Sequence, residues 1–431
     1  MSSEASSFVE VGQLRIGLFV ELDMGWMAHP FPTGAFKIST LKQIETIRSL
    51  GISRVRYIPE KSDPLQQDAQ APTDVMLEPE QAGLAQQQLA SQRAQLQRQR
   101  SEQLSAQQRS LVVCERRFGE AIRQYKKSLE QIHSQPKLVA EQCQVMVSGF
   151  VDEMLTEGES AIRLLSEAAG DKASMHPVNV TIVSLLLGKA MGMPEEDLVE
   201  LGMAAFLHDI GKIMLPERVR WLEENFSTAE YKLYQEHVAQ GLQLINAMGL
   251  PTGVQLAIAQ HHELADGSGY PGRLRNETMT TSARVLALVN RYDNLCNPIR
   301  PTAAMTPHEA LSMIFAQQKT RFDAPVLSAF IRMVGVYPPG SVVQLMDERY
   351  ALVVSVNSAR PLKPRIIVHE PGTSRQEALI LDLEKEPSVG IRRSVKPMAL
   401  PSAAMDFLSP RPRVNFFFES VQDPNQLLAA A

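Results

Sequence analysis

At 431 residues, 44% hydrophobic and 21% charged, the chain has an ordinary soluble-protein composition and material for about two to four domains. A net charge of −5 excludes a global pull toward DNA or an anionic membrane, so a phosphorylated ligand would need a locally positive site. Three widely spaced cysteines, Cys114, Cys143 and Cys296, exclude a disulfide framework and a Cys-based zinc site and fit a reducing cytoplasm.

The first residues, Met1 to Ser7, are polar and lack a basic stretch before an apolar one, so no signal peptide is expected. No apolar run approaches the roughly 18 residues of a membrane span. Residues 1–62 read as a small α+β module: short strands at Val9–Val11 and Leu14–Val20, a helix from Thr40 to Ser49 capped by Gly51, and a strand from Arg54 to Ile58. Trp26, His29-Pro30-Phe31-Pro32 and Phe36 make an aromatic and proline cluster within it. His29 has no second ligand near it in sequence and reads as a packing residue.

Residues 63–83, rich in Pro, Asp and Gln, read as a linker. From 84 to 169 the chain reads as a long helical or coiled-coil segment. Leu111, Phe118, Tyr125 and Ile132 recur every seven residues, with Ile122 and Leu129 between them. Two readings stay open for the helix over 84–135: a seam joining a homodimer, and a solvated helix folded back on its own domain. Pro136 ends or kinks it, and a second helix is expected from Leu138 to Glu167.

Residues 170–338 read as all-helical. Helices are expected at Val178–Ala190, from Pro194 into His208, after the capping box Ser227–Glu230, at Val254–His262, Ser282–Leu295, Thr306–Ala316 and Pro325–Val334. After Pro338-Pro339-Gly340 the composition turns β-rich. Residues 339–431 read as a small strand-bearing module, whose part beyond about 393 is expected to wrap the surface and to end in a loose tail, Gln422–Ala431.

The chemistry concentrates between His208 and Pro271. Of the 9 histidines, five are His176, His208, His237, His261 and His262, on successive expected helices. Helices that each donate a ligand inward are how bundle metal sites are built. His208 and Asp209, adjacent at a helix end, project about 100° apart and can chelate one ion or bridge two. A nitrogen and oxygen donor set suits iron, manganese, zinc or nickel better than calcium. Lys212, one turn on, reads as a solvated lysine or as a cation over a phosphate. Gly267 and Gly269 permit close backbone approach, and Tyr270 can stack on a ligand.

His208-Asp209-Ile210-Gly211-Lys212 and His261-His262-Glu263-Leu264-Ala265-Asp266-Gly267-Ser268-Gly269-Tyr270-Pro271 resemble the two signatures of HD-GYP proteins, bacterial HD-superfamily phosphohydrolases that hydrolyse cyclic di-GMP. The resemblance spans about 170–336, and residues 8–60 resemble the small domain of unknown function that often precedes it. It implies a mainly α fold with an all-helical HD-type metal-binding domain between the two small modules. The implied cofactors are two divalent metal ions, iron or manganese first, with zinc, nickel and magnesium as alternatives. The implied ligands are His176, His208, Asp209, His237, His261, His262 and Asn290. Lys212 and Asp209 would act at the scissile phosphate, and Asp266, Gly269, Tyr270, Pro271 and Arg300 would face the substrate. The implied activity is a phosphodiesterase making linear pGpG, and GMP where hydrolysis continues. Expected partners are cyclic di-GMP and, among proteins, diguanylate cyclases or other signalling proteins.

Two departures stand out. The family's usual acid ligand after the GYP loop is here Asn290, a neutral and weaker donor. A Glu that supports a third metal in some members is here Lys172, which argues for at most two ions. Asn290, with the long helix and the added β module, leaves as an alternative a cyclic-dinucleotide sensor or scaffold with weakened turnover. Base contacts are not written in the sequence, which leaves a phosphodiesterase for another cyclic dinucleotide such as cyclic GMP-AMP.

Overall fold

The computed structural model describes residues 7–22, 35–49, 54–63, 79–156, 159–166, 172–221, 226–357, 360–386, 388–411 and 413–420. The Trp26–Pro32 cluster, Gly51, most of the expected linker and the tail from Gln422 lie outside these residues, as does the side chain of Lys172. The chain divides into two compact units, Met1–Ser91 and Gln92–Ala431.

In the first unit, strands β1 (Ser7–Glu10), β2 (Phe19–Glu21) and β3 (Ala35–Lys37), helix α1 (Leu41–Ser49) and strand β4 (Arg54–Tyr57) follow one another. The strands form an antiparallel sheet in the order β1-β4-β2-β3. Val20 and Val55 point inward from the sheet and Ile44 and Ile47 inward from α1, three residues apart on one helical face. The unit thus has a small apolar core of its own.

Helix α2 (Pro79–Gln131) and helix α3 (Pro136–Thr156) are joined by a short turn. Leu96, in the early part of α2, is 64% exposed, whereas Phe118, Ile122, Tyr125 and Ile132 are buried in the main core. Arg117 pairs with Glu153, Gln124 bonds Gln142 and Ser128 meets Cys143, so α3 runs back antiparallel along α2. From Leu111 onward the seven-residue seam is therefore covered by this chain itself. Helix α3 stops at Thr156, short of the expected Glu167, and Ser160–Leu164 form strand β5.

Helices α4 (Lys172–Ala190), α5 (Glu195–Leu207), α6 (Thr228–Met248), α7 (Thr252–Gln260), α8 (Thr281–Cys296), α9 (Pro307–Gln317) and α10 (Ala324–Val334) form the bundle. Their ends follow local chemistry. Ser227 with Glu230, and Thr306 with Glu309, close reciprocal capping boxes at the starts of α6 and α9. Gly249 ends α6 in the left-handed conformation, with φ of 73°.

Strands β6 (Val342–Leu345), β7 (Tyr350–Asn357), β8 (Arg365–Val368), β9 (Ile380–Asp382) and β10 (Ile391–Ser394), the short helix α11 (Ser402–Leu408) and strand β11 (Phe416–Ser420) complete the chain. The antiparallel sheet runs β10-β6-β7-β5-β11, with β8 on the other side of β7 and β9 beyond it. Two findings depart from the sequence expectation. Strand β5, from before the bundle, lies between β7 and β11. The segment expected to wrap the surface ends in β11, whose Phe416, Phe417 and Phe418 are 1%, 0% and 2% exposed and belong to the same core as the bundle. Three consecutive phenylalanines with both faces covered carry no alternation to mark them as a strand.

Candidate metal centre

Helix α5 ends at Leu207 and its cap residue is His208; α7 ends at Gln260 and its cap residue is His261. Asp209 follows in a non-helical conformation, φ −99° and ψ 6°, and opens a tight turn, Ile210–Met214. That turn sits directly on α6. A Cβ on Gly211 would lie 2.0 Å from the His237 carbonyl oxygen and 2.4 Å from the Gly241 nitrogen. Only a glycine lets the His208-Asp209 turn and the helix carrying His237 approach this closely.

The histidines are oriented by one repeated device. The Nδ1 atoms of His208, His237 and His261 lie 2.7, 2.6 and 2.6 Å from the carbonyl oxygens of Ala205, Tyr234 and Ile258, each three residues earlier. A carbonyl only accepts, so each Nδ1 carries the proton and each neutral ring presents an Nε2 lone pair. His176 does the same against a carboxylate, with Nδ1 2.5 Å from Asp293 Oδ2. The lone pairs then face one another: His176 Nε2 is 3.3 Å from His208 Nε2, and His237 Nε2 is 3.3 Å from His261 Nε2. Asp209 lies between the pairs. Its Oδ2 is 3.4 Å from His208 Nε2 and 3.6 Å from His176 Nε2, and its Oδ1 is 3.7 Å from His237 Nε2.

This donor set fits divalent cations. Facing lone pairs with no proton between them repel unless a cation lies between them. Two buried atoms, Asp209 Oδ1 and His262 Nε2, have no hydrogen-bond partner, which is costly for a polar group unless something else satisfies it. Two groups have donor atoms all within 4.8 Å of one another: His176, His208 and Asp209, and Asp209, His237, His261 and His262. Metal–nitrogen bonds of about 2.1 Å place neighbouring ligands roughly 3.0–3.5 Å apart, close to the separations observed. Asp209 belongs to both groups and would be shared between two ions held there.

Burial keeps the rings neutral and ready to ligate. It pushes His237 down to about 4 and His261 and His262 well below the usual imidazole range. It lowers His176 as well, against the opposing pull of Asp293. For Asp209, burial acts upward, but the Lys212 ammonium and the His208 ring outweigh it and hold the carboxyl well below its ordinary value. Lys212 Nζ donates to Asp209 Oδ2 at 2.6 Å and lies 5.0 Å from the centre of the Trp221 ring and 5.3 Å from that of Tyr234. It is a buried cation held by a carboxylate and two aromatic faces.

A cavity of about 810 Å³ opens beside this cluster, within the roughly 300–1,000 Å³ range of small-molecule sites. Its charged lining residues are Lys212, Arg291, Arg300 and Arg321, with no carboxylate among the described residues that line it. A chain of net charge −5 thus gathers its positive charge locally. Trp221, Phe226, Tyr231, Tyr234, Tyr270 and Phe322 give the cavity broad aromatic walls suited to stacking.

The glycine loop forms one rim. Gly269 is seated against its own chain, and a Cβ there would lie 2.4 Å from the Leu264 nitrogen. Tyr270 stacks on His262 at 4.6 Å. Glu263, adjacent to the paired histidines, accepts hydrogen bonds from the backbone of Gly272 and Leu274 and so pins the loop. Of the residues assigned to the substrate, Gly269, Tyr270 and Arg300 line the cavity, while Pro271 and Asp266 do not. Asp266 instead accepts from the backbone and hydroxyl of Ser268 and shapes the turn. Asn290 lines the cavity, with its Oδ1 accepting from Asn294 at 2.6 Å. Sequence reasoning missed Asn179 and Asn297, which hold Asp293, and the cavity residues Trp221, Tyr231, Tyr234, Arg291 and Arg321. Scattered over several helices and loops, these share no spacing that would group them.

Three segments of the chain match known domain families. Residues 159–326 match the HD domain, residues 7–143 a domain of unknown function (DUF3391), and residues 342–403 a KOW domain associated with the HD domain. Residues 159–326 thus carry an HD-domain match, and both motifs of the HD-GYP resemblance lie inside that segment. It is 26% identical over 377 residues to a Pseudomonas aeruginosa protein named cyclic di-GMP phosphodiesterase PA4108, covering 84% of each chain. It is 31% identical over 153 residues to the cyclic di-GMP phosphodiesterase response regulator RpfG of Xanthomonas campestris, 35% of this chain and 40% of that one. It is 25% identical over 168 residues to a Vibrio cholerae protein named 3'3'-cGAMP-specific phosphodiesterase 2, 38% of this chain and 32% of that one. Among solved structures, an HDG"Y"P protein from Bdellovibrio bacteriovorus aligns with a TM-score of 0.43 at 14% identity, over 76% of this chain and 98% of that one.

Proposed function

We propose that the chain is a metal-dependent phosphodiesterase that hydrolyses cyclic di-GMP to linear pGpG, and on to GMP where hydrolysis continues. The observation that carries this reading is the pair of donor groups sharing Asp209, set beside a cavity whose charged lining is wholly positive. The names of the relatives support the substrate. Two divalent ions, iron or manganese, are the cofactors this donor set suits, held by His176, His208 and Asp209 on one side and by Asp209, His237, His261 and His262 on the other. Bound there, such ions supply an activated water and charge stabilisation at phosphorus.

The chain's own residues do the rest. Lys212, at the cavity wall, stands where it can neutralise the developing charge on a departing oxygen. Arg300, Arg291 and Arg321 draw the anionic ring in, and Tyr270, Tyr234 and Trp221 offer faces for its bases. Glu263 and Gly269 keep the loop closed against the histidines. The three cysteines, all buried and free, support a reducing compartment such as the cytoplasm.

Metal-loaded protein incubated with cyclic di-GMP is expected to release pGpG, and His208→Ala to abolish it. Intact substrate in both reactions would sink the proposal. Running 3'3'-cGAMP in parallel decides between cyclic dinucleotides. A second reading, a cyclic-dinucleotide sensor with weak turnover, is favoured by Asn290, whose amide oxygen is already engaged by Asn294. Asn290→Asp separates the two. A gain of tenfold or more in rate, on the order of 1.4 kcal/mol in barrier, marks a weakened enzyme. Full native activity with no gain removes the sensor.

A further inference from the structure

Behind His176 lies a closed set of buried polar groups that the metal ligands alone do not account for. Asp293 on α8 receives His176 Nδ1 at 2.5 Å on its Oδ2. Its Oδ1 accepts from Asn179 Nδ2 at 3.1 Å and from Asn297 Nδ2 at 2.8 Å. Both amides continue to the C-terminal segment. Asn179 Nδ2 and Asn297 Nδ2 also donate to the Val414 carbonyl at 3.0 and 2.9 Å. In return, Val414 N donates to Asn297 Oδ1 at 2.8 Å, and Phe416 N donates to Asn179 Oδ1 at 3.1 Å. A backbone N–H only donates, so each Asn oxygen is fixed on β11's side and each NH2 is left facing Asp293. His176, Asn179, Asp293 and Asn297 are all between 1% and 3% exposed.

Two physical points give this network a purpose. A ligating histidine whose other nitrogen donates to a carboxylate has its ring plane and tautomer fixed, and its free nitrogen is made more basic. Asp293, moreover, is a buried carboxylate whose ion-pair partner among the described residues is His176 alone. Such a charge is expensive unless a cation lies within reach. A cation on the far side of the His176 ring meets that need.

We propose that Asp293 is a positioning residue for His176, and that the backbone of Val414–Phe416 holds it in place through Asn179 and Asn297. The C-terminal strand is then a structural part of the His176–His208–Asp209 site. The chain reaches it by passing through the whole β-rich module first, so that site is complete only when the module has folded and β11 has paired with β5. This inference rests on the His/Asp cluster being a metal centre.

The test is titration of the metal-free full chain with Co2+, followed by visible absorption, for the native protein, Asp293→Asn, Asn297→Ala and, as a reference, His176→Ala. Asp293→Asn is expected to weaken Co2+ binding by about 10–100-fold and to move the absorption bands toward those of His176→Ala. Asn297→Ala, which touches no ligand directly, is expected to shift the bands in the same direction by less. Thermal unfolding of the metal-free variants is measured alongside. Variants that melt earlier but bind Co2+ with native affinity and native bands would overturn the proposal, because a merely structural network predicts that pattern. Native protein that binds no Co2+ would instead overturn the metal-centre reading beneath it.

Discussion

Lys212 shows how tightly one residue ties charge to chemistry. Its ammonium neutralises Asp209 at 2.6 Å in a place where neither group meets much water. Removing one partner of a buried pair leaves the other uncompensated, which costs on the order of 3–5 kcal/mol. Lys212→Met is therefore expected to destabilise the metal-free protein by about that much. The loss should be much smaller when divalent metal is present, because the cation takes over the compensation of Asp209. Denaturant unfolding with and without chelator measures both, and an equal loss in the two conditions would contradict the argument. In the metal-loaded enzyme the same change is expected to cost about 10²-fold in kcat, the scale of losing one aimed donor at developing charge. Asp209 itself was legible in the sequence as half of the His-Asp pair. Its place in both donor groups was not, since that depends on His176 and His237 arriving from other helices.

Among the elements, the turn after α5 is the joint on which the centre depends. Gly211→Ala would drive a Cβ to 2.0 Å from the His237 carbonyl oxygen, a backbone atom that cannot rotate away. The turn and α6 must separate, and Asp209 then moves away from His237. We expect metal content measured by elemental analysis to fall in Gly211→Ala, whereas Gly249→Ala, where added bulk meets nothing within 4 Å, should keep its metal and lose only helix-end stability. Equal metal content in both would show that the close approach does not position the site. Helix ends in this chain were readable because they are decided locally: the Ser227–Glu230 box and the acids opening α5 act over three or four residues. The fate of the α2 seam was not. A heptad pattern states that a helix face is apolar, and the same pattern serves a second chain or this chain's own α3.

On the scale of the whole molecule, the centre sets how the fold responds to acid. The buried rings of His176, His237, His261 and His262 take up protons less readily than they would in the unfolded chain. For His237 the window runs from the ordinary 6.5 down to about 4. Across it the unfolded state binds more protons than the folded one, so stability falls as pH falls. Metal-free protein should hold a steady melting temperature near neutrality and lose it progressively between those values. Bound metal should deepen the same dependence, because protons then compete with the ion for the ring nitrogens. Melting curves across that pH range, with and without metal, check both statements; a metal-free protein equally stable at both ends would contradict them.

The sequence by itself determined the donor chemistry, the glycine loop, the helical bundle and a β-rich module after it, because each is written in residue types at short spacings. It also determined that the acid expected after the loop is an amide, Asn290. Only the tertiary structure decided that the α2 seam is covered by this chain itself from Leu111 onward, that β5 joins the C-terminal sheet, that four cations and six aromatic rings share one cavity, and that Asp293 is anchored to the last strand. Those features depend on residues tens to hundreds of positions apart, brought together by burial of the common core. Hydrophobic burial is non-directional, so a sequence pattern shows that a face will be covered, and only the folded chain shows by what.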